Sequence, residues 1–109
     1  MYRVMPTKEA ENDVSSLVAY MVYQLKNEQA ARRFLHEYDK QINSLTIFPF
    51  GYRGIGFEYR GYEIRMKPIS TYKIFFVVDA KEQQITILRV LKDLQNWKVM
   101  LHNDDDYSF

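Results

Sequence analysis

The chain has 109 residues, 47% of them apolar, with 15 Lys and Arg against 14 Asp and Glu, enough for one domain with a single modest core. It has no cysteine, which excludes disulfides, thiol catalysis and thiolate metal sites. No run approaches the ~18–20 apolar residues of a membrane span, and no basic stretch followed by an apolar one opens the chain, so a cytoplasmic protein without a membrane partner is expected.

Residues 2–5 (Tyr-Arg-Val-Met) predict a short strand closed by Pro6. Thr7 stands where an N-cap belongs, with Glu9, Glu11 and Asp13 early in the following segment, where acidic side chains suit the positive end of a helix. Ala10, Val14, Leu17, Val18, Met21, Val22 and Leu25 recur at helical spacing and predict a helix over roughly 8–26. Asn27 is a second N-cap. Ala31, Phe34, Leu35, Tyr38, Ile42 and Leu45 repeat the period, so two amphipathic helices with almost no linker form a helical hairpin. Pro49 ends it.

All four glycines lie between Gly51 and Gly61 among Phe50, Tyr52, Phe57, Tyr59 and Tyr62, which reads as a loop with anchoring rings leading into a strand. Those rings could also stack on bases or receive part of a partner protein. Strands are predicted at about 57–67, 72–79 and 84–91, joined by short connections into an antiparallel meander. Leu94, Trp97, Met100 and Leu101 suggest a short helix before the acidic Asp104-Asp105-Asp106. The order is β-α-α-β-β-β-α, an α+β domain whose small antiparallel sheet is covered on one face by the helical hairpin. The domain is expected over 1–102, with an acidic tail at 103–109.

The formal net charge of +1 hides a segregation: residues 52–98 carry nine basic and five acidic side chains, a surplus of four. That is a mild basic bias. The cations Arg65, Lys67, Lys73, Arg89 and Lys92 interrupt otherwise apolar strands. Arg65 and Lys67 are two apart and leave on one face, whereas Lys73 faces away from Tyr72 and Ile74. Aligned by a meander, such cations would surround a phosphate-sized space; dispersed, they would line solvated faces and edges, where lysine discourages edge-to-edge pairing. No phosphate-loop motif exists, and His36 and His102 have no partners at zinc spacing.

Thr7-Lys-Glu-Ala10 with Asp13, Ala30-Ala31, Leu45-x-x-Phe48-Pro49, Tyr62-x-Ile-Arg65, Tyr72-x-Ile-Phe-Phe-x-Val-Asp79, and Ile85-x-Ile-Leu-Arg-Val-Leu91 followed by Trp97 together resemble the RelE/ParE toxins of bacterial type II toxin–antitoxin pairs. The likeness runs from about Tyr2 to Leu101. It implies a cognate antitoxin as partner and no cofactor. It also implies one of two activities: ribosome-dependent mRNA cleavage, with ribosome and mRNA as partners, or non-enzymatic inhibition of DNA gyrase. A non-toxic protein-binding relative is the third reading.

For a nuclease, the leading reading, the resemblance places Arg65, Lys73 and Arg89 on the phosphate. Lys67 or Lys92 would exchange protons, and Tyr72 is the alternative proton donor. After Leu91, however, the chain runs Lys92-Asp93-Leu94-Gln95-Asn96-Trp97 where RelE-like enzymes carry arginines, and the tyrosine that follows those arginines has no clear match. Gyrase inhibition therefore stays open.

Overall fold

A computed structural model describes residues 1–92 of the chain. The expected helix after Lys92 and the domain boundary at 102 lie outside these residues. The order is β1 (Arg3–Pro6), α1 (Lys8–Ala19), a π-helical turn (Tyr20–Gln24), α2 (Glu28–Leu45), a 3₁₀ turn (Pro49–Gly51), β2 (Gly54–Tyr59), β3 (Tyr62–Ile69), β4 (Tyr72–Asp79) and β5 (Gln84–Lys92). This is the α+β arrangement of a helical hairpin on a sheet.

Both caps form as the sequence predicts. The Thr7 side chain accepts from the Ala10 amide at 3.1 Å, and Asn27 Oδ1 accepts from the Ala30 amide at 3.0 Å. Thr7, fully buried, also lies 3.0 Å from the carbonyls of Ile87 and Leu88, so one hydroxyl both starts α1 and seats it on β5. The first helix widens into its π-helical turn, where the Leu25 amide donates five residues back to the Tyr20 carbonyl, and stops at Lys26, whose φ of 52° is the left-handed conformation that breaks the helical ladder.

The sheet order is β1-β5-β4-β3-β2. It is mixed, not purely antiparallel: β1 runs parallel to β5, pairing Arg3 with Gln84 and Pro6 with Ile87. The predicted strand over 57–67 is two strands. Arg60 and Gly61 both take positive φ, 53° and 85°, and fold the segment into a hairpin in which Tyr59 faces Tyr62. Tight two-residue hairpins require this backbone, and Gly61 supplies half of it without strain.

Alternation along the strands divides the core into two layers. Ile74, Phe76 and Val78 of β4 join Ile85, Ile87 and Val90 of β5 beneath Ala10, Met21, Ala31 and Phe34 of the helical hairpin. Phe75, Val77, Leu88 and Leu91 gather on the other face with Tyr59 and Ile64. A register shift opposite Phe75 and Phe76 leaves Leu88 as the extra residue of a bulge that bends β5, and each fully buried side chain of this size contributes about 1.5–3 kcal/mol.

Candidate functional site

Arg65 and Lys67 do share a face, and it is the helix-covered one: Arg65 pairs with Phe76 and Lys67 with Ile74, both in the layer beneath the helices. Lys67 is 3% exposed. Its Nζ donates to the Gln41 carbonyl at 3.2 Å and to Ser44 Oγ, and sits 4.8 Å from the centre of the Tyr52 ring. Gln41 and Ser44 lie near the end of α2, so Lys67 ties that end of the helix to β3. Arg65 donates from Nη1 to the Tyr52 carbonyl at 2.7 Å, and its guanidinium lies 5.1 Å from the Phe50 ring centre. Together the two cations clamp the aromatic, glycine-bearing segment onto β3 and the end of α2.

Arg89 leaves β5 for the first helix. Its Nε lies 2.8 Å from Asp13 Oδ2 and its Nη2 2.9 Å from Asp13 Oδ1, while the Val90 amide donates to the same carboxylate at 2.9 Å. The backbone of β5 at Val90 lies beyond the reach of β1, whose pairing ends at Ile87. Asp13 completes that edge.

Lys73 points to the face away from the helices, opposite Leu91 of β5, and so is separated from Arg65 and Lys67 by the thickness of the sheet. Lys92 pairs with Tyr72 across the strands and carries its Nζ 5.6 Å from the Tyr20 ring centre. Tyr72 meets Phe34 edge to face at 5.1 Å. The five cations are thus spread over both faces and one edge of the sheet; Arg65 and Lys67 share the helix-covered face, and Tyr72 pairs with Lys92.

Two surfaces stand out among the described residues, and of their members the sequence singles out Phe50 as a ring that could receive a partner. The first is a groove of about 720 Å³ between the start of α2, the end of the first helix and the β3–β4 turn. Met21, Leu25, Ala30, Phe34, Ile69 and Tyr72 form its apolar part, with Arg33, His36 and Glu37 also lining it. The helical periodicity that predicted the hairpin contains several of these residues, but not the gap they leave against the β3–β4 turn.

The second surface is at the opposite end of α2, where Ile47, Phe48 and Phe50 are 74%, 65% and 44% exposed. On the sheet's far face, Tyr62 donates to Asp79 Oδ2 at 2.9 Å. That bond raises the Tyr62 phenol above its ordinary pKa, while the Glu82 amide, with help from Tyr62, holds the Asp79 carboxyl below the usual range.

No curated protein sequence matches the chain. The family model described as the ParE toxin of type II toxin–antitoxin system, parDE, matches residues 4–97. Among solved structures, the fold is similar to a chain of the chromosomal ParDE toxin–antitoxin system from P. aeruginosa, with a TM-score of 0.67 at 20% identity over 84% of this chain and 96% of that one. It is also similar to a chain of the archaeal RelE–RelB complex from Pyrococcus horikoshii OT3, with a TM-score of 0.53 at 21% identity over 86% of this chain and 97% of that one.

Proposed function

Because the chain belongs to the family of ParE toxins of type II toxin–antitoxin systems, we propose that it acts on its target by binding, as a non-enzymatic inhibitor of DNA gyrase. The dispersal of its cations carries this reading. Cleaving RNA requires several positive groups to converge on one phosphate as charge develops there. Here Arg65 and Lys67 are engaged beneath the helices, Arg89 is forked onto Asp13, and Lys73 is on the opposite face. A binding toxin needs surfaces instead, and the described residues present the groove beside Phe34 and the apolar patch after α2.

One observation favours the alternative, ribosome-dependent mRNA cleavage: Tyr72 and Lys92 are directly paired across β4 and β5, placing a proton donor and a cation at one end of the sheet. Purified toxin separates the two readings. Inhibited supercoiling by gyrase, with intact transcripts in a translation extract, supports binding; mRNA cleavage at the ribosomal A site, lost in Lys73→Ala or Arg65→Ala, replaces it.

A cognate antitoxin masks such a toxin. The groove beside Phe34 suits an apolar helical segment of that antitoxin, since it has the size and apolar lining of a binding cleft with few polar groups at its margin.

A further inference from the structure

On the face away from the helices, one end of the sheet is a polar row that crosses all five strands. Tyr59 of β2 stands opposite Tyr62 of β3, and Tyr62 bonds to Asp79 of β4. Asp79 pairs with Gln84 of β5, and Gln84 with Arg3 of β1. Alternation gives these residues the side that Val77 and Leu88 occupy, while Val4, Val78 and Ile85 face the helices. The apolar layer of that side is thus bounded here by rings, an amide and charges. Tyr59, Tyr62, Asp79 and Gln84 line, with Arg60 and Thr86, a cavity of about 300 Å³.

The row is ordered to take a flat ring. Tyr62 is 39% exposed, and its hydroxyl donates to Asp79 Oδ2 at 2.9 Å, while Asp79 Oδ1 accepts from the Glu82 amide at 3.1 Å. The exposed ring is therefore held in place before any ligand arrives, and stacking on it costs little further conformational entropy. Gln84 offers a donor and an acceptor together, which suits the edge of a base. Cations stand at both ends. Arg60 lies over the Tyr59 ring, 5.0 Å from its centre, Arg3 closes the row on β1, and both are exposed. Five strands about 4.8 Å apart put the ends of the row about 19 Å from each other, the span of a few nucleotides. A ring for stacking between cations for phosphates is the pairing by which single-stranded nucleic acid is held without regard to sequence. A basic side chain of a partner protein, which the rings and Asp79 would also receive, is opposed by Arg60 and Arg3.

We propose that this row binds single-stranded DNA, with one base stacked on Tyr62, its edge at Gln84, and flanking phosphates on Arg60 and Arg3. The choice of DNA over RNA rests on the reading of the chain as a gyrase inhibitor, because a toxin seated on gyrase stands beside the DNA that gyrase holds. Asp79 acts through Tyr62, as a positioning residue.

The test follows the fluorescence anisotropy of a labelled, unpaired DNA strand of about ten nucleotides as full-length toxin is added, for wild type, Tyr62→Phe, Tyr62→Ala and Arg3→Gln, with thermal melting of each protein. Wild type is expected to bind at low salt and Tyr62→Ala to bind about tenfold more weakly. Tyr62→Phe, which keeps the ring, should bind more tightly than Tyr62→Ala. Arg3→Gln should weaken binding and flatten the slope of log affinity against log salt by about 0.7. If Tyr62→Ala melts early, the exposed Arg3→Gln decides. No binding by wild type overturns the proposal, as does equal binding by wild type, Tyr62→Ala and Arg3→Gln. Binding of the matching RNA strand alone also overturns it. Supercoiling by gyrase in the presence of wild-type toxin is assayed separately. Inhibition without strand binding defeats this proposal and leaves the gyrase reading standing; strand binding without inhibition defeats the gyrase reading and leaves the row as a nucleic-acid site.

Discussion

Arg89 of β5 and Asp13 of α1 form a two-pronged ion pair whose side chains are only 12% and 14% exposed, and the same carboxylate caps the Val90 amide. Removing the acid leaves a guanidinium and an amide without their acceptor in a largely dry site. Asp13→Ala is expected to cost about 3 kcal/mol, read by urea unfolding. A loss below about 1 kcal/mol would mean that water replaces the carboxylate readily.

Lys67→Met keeps the length of the side chain and removes its donors to the Gln41 carbonyl and Ser44 Oγ. The expected loss is about 1–3 kcal/mol of stability. Growth arrest well below the melting temperature should persist, because a lysine so buried contributes to the fold. Abolished toxicity with unchanged stability would instead give Lys67 a direct part in the activity.

Tyr38 titrates at about 12, raised first by burial and then by Asp39, Glu11 and Asp13. The folded state thus favours the neutral phenol, and the sign follows: this contribution is complete below the unfolded value of 10.0 and is lost as pH rises through about 12. The stability curve of wild type should fall between these pH values by up to about 2 kcal/mol more than that of Tyr38→Phe. Parallel curves for the two proteins would refute it.

Leu25 lines the groove while 53% exposed, so a charge there disturbs a docked apolar segment more than the fold. Leu25→Asp should weaken antitoxin binding by about tenfold in calorimetry and leave free toxin fully active. If affinity is unchanged, the antitoxin docks elsewhere.

Ser70 opens the β3–β4 turn with φ of 56°, a region that a residue with a Cβ enters at a cost of roughly 1 kcal/mol. Ser70→Gly should raise the melting temperature by a few degrees. A lower melting temperature would show that flexibility gained by the unfolded chain outweighs the relieved strain.

Local chemistry made much of the fold legible. Thr7 and Asn27 carry side chains that cap helices wherever they precede an apolar period, and both do so here. The Arg60–Gly61 turn had a signal in its glycine, but the continuous run of aromatic and β-branched residues around it reads as one strand. The parallel pairing of β1 with β5 left no local mark, because register between distant strands is set by which faces the helices cover. The same limit applies to the cations. Spacing correctly put Arg65 and Lys67 together and Lys73 apart, yet spacing cannot say which face lies beneath the helices. Nor could it anticipate that Arg89 would find Asp13, 76 positions away.

The pairing of Arg3 with Gln84 sets the order in which the molecule can be completed. β1 has no strand partner until β5 is made, and neither Thr7 nor Asp13 meets its acceptors and donors on β5 before then. During synthesis α1 and α2 can form from local contacts, while the sheet that supports them stays open along one edge. A chain made only as far as β4 therefore lacks the strand that seats α1, and the fold closes only once β5 has been added.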